Sequence, residues 1–143
     1  MLCLDTNVLV HAFRIGSPIH DPVRSWLANV LDGDEPVIVP VDVGAAFMRL
    51  STNARLFPDS TSAGDALEFV HEVESAARFV SASPWAWSRF LAFVSELALV
   101  GNDVPDALIA AQALDHGATL ATFDQGFARF SELQVLDLSR FDF

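Results

Sequence analysis

Short apolar runs alternate along the chain with longer segments in which apolar residues recur every three or four positions. The runs are bounded by prolines, glycines or polar residues and are too short for helices, so they predict buried strands. We expect five strands, within residues 2–4, 36–40, 77–83, 118–123 and 133–138. The longer segments between them are typical of helices that cover a sheet.

The intervening segments also carry the residues that start and end helices. Six helices are predicted: after Asp5, from Pro22 through Val30, over Val43–Leu50, within residues 60–73, from Pro84 to about Val100 and over residues 103–117. Gly117 is the expected cap of the last one. A short helical turn is predicted at residues 124–130. This alternation predicts the α/β class: one domain over residues 1–143, with a parallel sheet flanked by helices. In such sheets, ligands bind beyond the carboxyl ends of the strands.

Composition limits the possible partners. The 143 residues are 52% hydrophobic, which is enough for one folded domain with a sizeable core. The net charge is −11, from 19 acidic residues and 8 basic residues, all of them arginine. Such a chain repels phosphates and cannot bind nucleic acid through bulk charge. The acidic surplus favours a cationic protein partner.

Cysteine content and hydropathy bear on location. Cys3 is the only cysteine, which excludes an internal disulfide and a multi-cysteine zinc site; we expect it to be buried. The most apolar long segment, Phe79–Val100, is interrupted by Pro84 and by charged residues, so we expect an amphipathic helix and no membrane span. Without a signal-peptide pattern, the expected location is cytoplasmic.

Four aspartates are placed by their sequence positions at strand ends or at a helix start. Asp5 follows the first strand, Asp124 follows the fourth, and Asp103 and Asp106 lie at the start of the alanine-rich helix. If the first and fourth strands are parallel neighbours, Asp5 and Asp124 lie at the same edge of the sheet. The start of the helix can bring Asp106 to that edge as well.

Helix capping is the alternative interpretation of these aspartates. Taken singly, each is more typical of a cap than of a ligand. Three carboxylates that converge would repel one another, and a hard divalent cation such as Mg²⁺ removes that repulsion. Thr6 and Asn7 can then orient a ligand, a water or a substrate. Such an ion orders phosphate oxygens around itself and can activate a water for attack on phosphorus.

Several segments together resemble a known family. "LDTNVLV" at residues 4–10, "DALIAAQALDHGATLATFD" at 106–124 and "GFARF" at 126–130 are similar to PIN-domain ribonucleases. Among these, the sequence most resembles the VapC toxins of bacterial toxin–antitoxin pairs, and "FMRLSTNARLF" at 47–57 adds to the likeness. The likeness covers nearly the whole chain.

The resemblance implies a metal-dependent endoribonuclease, the toxin of a type II pair. It implies a PIN-like fold, a Mg²⁺ cofactor with Mn²⁺ as an alternative, an RNA substrate, a cognate VapB-type antitoxin that covers the site, and a homodimer. Asp5, Asp106 and Asp124 match the family's ligand carboxylates, with Thr6 and Asn7 beside them. Asp103 matches no family position and is a further candidate ligand.

One position departs from the family pattern. The family usually has a glutamate on the helix after the second strand, where this chain has Ala46. Asp42, about one turn earlier, is expected to be the N-cap of that helix. The loss of the glutamate should weaken metal binding, and Asp103 either compensates or only caps its own helix.

Other residues have two interpretations each. For Trp85 and Trp87, packing in the core or in a dimer is favoured over stacking on RNA bases. Arg49, Arg55 and Arg129 are candidates for phosphate contacts, but surface salt bridges are favoured for each singly.

Two alternatives to an active nuclease follow from these residues. The first is a catalytically impaired PIN-like module that binds an antitoxin or RNA, which Ala46 favours. The second is a phosphotransfer domain. A receiver requires a lysine, and this chain has none. A phosphatase requires a second aspartate at position 7, where Asn7 stands.

Overall fold

The computed structural model describes residues 1–143 and contains one parallel sheet of five strands in the order β3-β2-β1-β4-β5. The strands are β1 (Leu2–Leu4), β2 (Val37–Pro40), β3 (Arg78–Val80), β4 (Thr119–Thr122) and β5 (Val135–Asp137). Each falls within an apolar run that predicted it. The five-stranded parallel α/β architecture expected from the sequence is confirmed.

Six α-helices surround the sheet. They are α1 (Thr6–Phe13), α2 (His20–Leu31), α3 (Val41–Ser51), α4 (Ala63–Glu74), α5 (Pro84–Glu96) and α6 (Val104–Asp115). Short 3-10 segments occupy Gly101–Asp103, Gln125–Arg129 and Leu138–Arg140. Helix α1 packs against α2 and α3, whereas α5 packs against α6. None of these helices is long and apolar enough to cross a bilayer.

Helix α5 ends earlier than its apolar pattern predicts. Its last residue is Glu96, and Ala98 has a positive φ of 50°, a conformation that stops a helix. The prediction of a helix to about Val100 was wrong because leucine and alanine are compatible with helix up to that residue. Helix α6 ends one residue earlier than expected: His116, not Gly117, is its C-cap, and Gly117 follows with φ +60°.

Strand pairing at the centre of the sheet decides where the aspartates lie. β1 pairs in parallel with β4, with Leu4 opposite Ala121. The ends of these two strands are therefore adjacent, as the sequence analysis required for Asp5 and Asp124. Cys3 is fully buried in the core, as predicted, and burial raises the pKa of its thiol far above the usual range.

The tryptophans of α5 do not belong to the core. Trp85 is 51% exposed and Trp87 is 52% exposed, although the ring of Trp87 packs on Phe90 with centroids 5.2 Å apart. The expectation of core packing was wrong for both residues. The buried face of α5 is formed instead by Ala86 and Phe93. Packing of the tryptophans in a dimer stays a prediction.

Candidate active site

A cleft of about 680 Å³ opens at the carboxyl edge of the sheet. Asp5 follows β1 directly, Asp124 lies two residues beyond β4, and Asp106 lies in the first turn of α6. All three line this cleft, together with Thr6 and Asn7. The topology thus brings together residues that are more than a hundred positions apart in the sequence.

Asp5 is the most enclosed of these carboxylates, with 5% of its surface exposed. One oxygen, Oδ1, accepts the backbone N–H of Thr6 at 2.6 Å and so caps helix α1. The other oxygen, Oδ2, accepts the Thr122 hydroxyl at 2.6 Å and the Asn7 amide at 2.8 Å. Burial raises the pKa of Asp5, the hydrogen bonds oppose that rise, and the charge of Asp124 adds to it.

Thr122 and Asn7 tie the ends of β1 and β4 together. The buried Thr122 hydroxyl donates to Asp5 and accepts the N–H of Asp124 at 2.9 Å. The Asn7 side-chain oxygen accepts the N–H of Phe123 at 3.2 Å. Thr122 was not singled out from the sequence, because a threonine inside a strand is ordinarily a packing residue. Its burial beside Asp5 depends on a pairing across 117 residues.

Asp124 combines capping with a position in the cleft. Its Oδ1 accepts the N–H of Gly126 at 2.7 Å and caps the 3-10 segment that follows. Asp5 likewise caps α1, so capping and a position in the cleft are compatible for both residues. The two interpretations offered by the sequence do not exclude each other here.

Asp106 lies in an ion-paired cluster. Arg129 donates from Nη2 to Asp106 Oδ2 at 2.8 Å, and its Nη1 lies 3.5 Å from Asp103 Oδ1. Partial burial and the nearby charge of Asp5 raise the pKa of Asp106 to about 6, while Arg129 opposes the rise. The ionised form of Asp106 is therefore disfavoured, and a bound cation would stabilise it.

Asp103 lies outside the lining of the cleft. Its side chain is 56% exposed and reaches Arg129, whereas that of Asp106 is 21% exposed. Asp103 precedes α6, but its side chain makes no cap hydrogen bond. Asp103 therefore occupies the N-cap position of α6 but does not cap the helix through its side chain, and its role as a metal ligand stays a prediction.

Asp42 and Ala46 lie on the part of α3 that faces the cleft. Helix α3 begins at Val41 after Pro40, so Asp42 is not its N-cap and that prediction was wrong. Instead, Asp42 Oδ1 accepts an N–H from Gln112 Nε2 at 2.8 Å. Gln112 is buried, and the sequence gave no sign of this contact because glutamine is unremarkable in an alanine-rich helix.

The chemistry of the donors fits a hard divalent cation. Asp5, Asp106 and Asp124 offer only oxygen atoms, which Mg²⁺ and Mn²⁺ prefer, and burial together with the nearby charge of Asp5 raises the pKa of Asp106. In the present conformation, no three acidic, histidine or cysteine side chains are grouped closely enough to hold an ion. Arg129 engages Asp106, and the N–H of Gly126 engages Asp124.

Comparisons with known proteins identify relatives along nearly the whole chain. The family model of the PIN domain matches residues 2–133. The chain is 39% identical over 136 residues to VapC ribonuclease Mb2897 of Mycobacterium bovis, covering 94% of this chain and 92% of that protein. It is 35% identical over 138 residues to ribonuclease VapC25 of Mycobacterium tuberculosis, covering 94% and 96% of the two chains.

Solved structures share the fold at lower identity. The structure of VapBC2 from Rickettsia felis bound to a promoter DNA fragment matches with a TM-score of 0.72 and 21% identity, covering 94% of this chain and 96% of that one. VapC20 of Mycobacterium tuberculosis, described as a Sarcin-Ricin loop cleaving toxin, matches with a TM-score of 0.69 and 13% identity, covering 91% and 95%. The chain belongs to the PIN-domain family and, within it, to the VapC proteins.

Proposed function

We propose that this protein is a metal-dependent endoribonuclease that acts as the toxin of a type II toxin–antitoxin pair. The observation that carries the proposal is that Asp5, Asp106 and Asp124 line one cleft at the carboxyl edge of the sheet. Relatives at 35–39% identity are named ribonucleases, which supports hydrolysis of RNA as the reaction.

Each residue has a role in this proposal. Asp5, Asp106 and Asp124 would hold the cation, which would be Mg²⁺ with Mn²⁺ as an alternative. When bound, the cation would order phosphate oxygens and activate a water for attack on phosphorus. Asn7 fixes the orientation of Asp5 through its amide, and the Thr6 side chain is available in the cleft to orient water or substrate.

Asp103 has an indirect role in the same proposal. Arg129 pairs with both Asp103 and Asp106, so its positive charge is divided between the two carboxylates. Asp103 therefore sets how strongly Arg129 competes with a cation for Asp106. We retain it as a candidate ligand, whose removal would shift the metal requirement of the enzyme.

Asp124 and Asp137 provide a matched test of the metal site. Each caps a 3-10 segment by accepting the N–H two residues on, but only Asp124 lies in the cleft. RNA cleavage would be measured against Mg²⁺ and Mn²⁺ concentration, with metal binding followed by calorimetry. Asp124→Asn should weaken both, and Asp137→Asn should change neither, since asparagine also caps. Equal behaviour of the two variants would contradict the proposed site.

A non-cutting PIN-like module is the second candidate. Ala46, which lines the cleft where the family usually has glutamate, favours it because one oxygen ligand is missing. Metal titration followed by the cleavage assay separates the two functions. Binding of RNA or of an antitoxin, without cleavage at any metal concentration, would establish the module.

The proposed protein partner is a VapB-type antitoxin. The net charge of −11 and the carboxylates in the cleft suit a cationic segment that places an arginine or lysine against them. Structural neighbours include the VapBC2 complex of Rickettsia felis and FitAcB of Neisseria gonorrhoeae, a fact that supports such a pairing. Co-expression with the adjacent small gene should yield a salt-sensitive complex, and failure to form one at low salt would contradict this partner.

A homodimer completes the proposal. Three apolar residues of α5 are each about half exposed: Trp85, Trp87 and Leu91. Exposed apolar surface of this kind is typical of an interface. Light scattering should give twice the mass of the chain. Leu91→Glu should reduce that mass to the monomer value without unfolding the protein, and a monomeric wild type would contradict the dimer.

A further inference from the structure

The cleft that contains the carboxylates is also lined by arginines. Arg14, at the end of α1, and Arg49, in the last turn of α3, line it beside His11 and Phe57. A chain with a net charge of −11 thus places positive charge in the same cleft as its crowded aspartates. A polyanionic substrate requires such a charge near a metal site.

Arg14 is already neutralised and held in place. Its Nη2 donates to Asp59 Oδ1 at 2.8 Å, and its guanidinium carbon lies 3.6 Å from the centroid of the Phe57 ring. Asp59 also accepts the N–H of Gly16 at 3.0 Å, which fixes the acceptor. Arg14 therefore contributes shape to the cleft and little free charge.

Arg49 has no such partner. Ion pairs within 4.0 Å engage Arg14, Arg24, Arg89, Arg129 and Arg140. Arg49, Arg55 and Arg78 remain unpaired, and Arg49 is the only one of these three that lines the cleft. With 19 acidic residues in the chain, an unpaired arginine at this place is free to bind an external anion.

The residues before Arg49 on α3 explain why it remains free. Asp42, Ala46 and Arg49 follow one another at intervals of four and three, so they lie on one face of the helix, and all three line the cleft. Side chains three apart on a helix are neighbours and pair when their charges are opposite. A glutamate at position 46 would therefore neutralise Arg49, whereas Ala46 leaves the guanidinium available.

We propose that Arg49 binds a backbone phosphate of the RNA strand next to the phosphate that is cleaved; this inference rests on the proposed function. Arg49 lines the same cleft as Asp5, Asp106 and Asp124, about 10 Å from Asp42 along the axis of α3. The planar guanidinium offers paired donors that match phosphate oxygens. Arg49 is thus a substrate-binding residue that does not touch the metal.

A structural role is the competing explanation for Arg49. A cation in the last turn of a helix interacts favourably with the helix dipole. Arg49→Lys keeps that charge and loses the planar pair of donors, so it tests the two roles separately. Arg78 supplies the matched control: it is exposed, unpaired and located at the first residue of β3, at the opposite end of the sheet.

Binding of RNA without cleavage is the direct measurement. A labelled single-stranded RNA oligonucleotide would be titrated with the full chain in EDTA, at several salt concentrations, and followed by fluorescence anisotropy. Arg49→Ala should weaken binding about tenfold. It should also reduce the slope of log affinity against log salt by about 0.7, the value for one phosphate on a single strand. Arg49→Lys should fall between wild type and Arg49→Ala, and Arg78→Ala should match wild type.

The outcomes separate this inference from the proposed function. If wild type cuts RNA with Mg²⁺ but Arg49→Ala binds RNA as well as Arg78→Ala does, Arg49 is not a phosphate contact. If RNA binds through Arg49 but no metal supports cleavage, the nuclease fails and the phosphate contact stands. In the cutting enzyme, Arg49→Ala should raise KM and leave kcat nearly unchanged, since the lost contact is made equally in the bound and reacting states. Urea denaturation of each variant checks that the fold is intact.

Discussion

Two halves of the cleft hold their carboxylates in different ways. In the strand half, formed by Asp5, Asn7, Thr122 and Asp124, backbone N–H groups, an amide and a buried hydroxyl fix the acids. In the helix half, Asp106 pairs with Arg129, which also reaches Asp103 outside the lining of the cleft. Hydrogen bonds formed on folding hold the acids of the strand half in place. In the helix half, Asp106 is held by an ion pair that a cation or a partner can replace.

Removing the charge of Asp5 should have the largest effect, because the strand half offers no substitute for it. Asp5→Asn keeps the size of the side chain but loses the charge that holds the ion. We expect cleavage and Mg²⁺ affinity to fall about a hundredfold or more. Calorimetry with Mg²⁺ and Mn²⁺ measures the affinity directly. Unchanged metal affinity in this variant would remove Asp5 from the ligand set.

Thr122→Val tests whether the strand half is held by its hydroxyl. Valine matches threonine in shape but leaves Asp5 Oδ2 and the N–H of Asp124 without their shared partner. We expect a loss of about 2 kcal/mol in the free energy of unfolding and a roughly tenfold fall in cleavage. Thr119→Val, at the other end of the same strand and with only a 3.4 Å contact, should cost little. Similar losses for the two variants would show that the hydroxyl has no special role.

Ala46→Glu should act in two opposite directions. The new carboxylate adds a hard oxygen in the cleft and should tighten Mg²⁺ binding by about tenfold. It also lies three residues before Arg49 and should neutralise it, which weakens RNA binding in EDTA. Cleavage at limiting metal should rise while the KM for RNA rises with it. An unchanged metal dependence would mean that position 46 is not where the missing carboxylate belongs.

The last prediction concerns stability alone, through its pH dependence in the helix half. The pKa of Asp106 is raised to about 6 in the folded protein, so the folded state binds its proton more tightly than the unfolded chain does. Its contribution to stability is therefore present below pH 4 and is lost as pH rises through about 6. Asp106→Asn should consequently gain stability relative to wild type between pH 4 and pH 7.5, measured by urea denaturation in EDTA. A constant difference between the two proteins across this range would contradict the raised pKa.

More of the fold than of the site could be predicted from the sequence. Apolar runs and helical spacing depend on neighbours in the chain, so strands such as Val37–Pro40 and helices such as Val104–Asp115 fall where the pattern places them. The meeting of Asp5 with Asp124 required only the additional assumption that β1 and β4 are neighbours. The general preference of α/β domains for parallel sheets makes the ends of β1 and β4 share an edge, but only the structure shows that the two strands are neighbours.

The contacts that tune the site were beyond sequence analysis. Thr122 reaches Asp5 across 117 residues, Gln112 reaches Asp42 across 70, and Arg129 reaches Asp106 across 23. No periodicity marks such pairs, because each side chain also suits an ordinary place in its own strand, helix or turn. The same reason explains the wrong assignment of Asp42 as a cap, since aspartate near a helix start usually is one.

The hydroxyl bond between Thr122 and Asp5 has a consequence during protein synthesis. Asp5 is among the first residues to be translated, but its partner belongs to the fourth of five strands. A nascent chain therefore carries an unfinished site until most of its length has left the ribosome. Because Asp124 follows the same strand, Asp5, Asp106 and Asp124 are present together only when nearly the whole chain has been made.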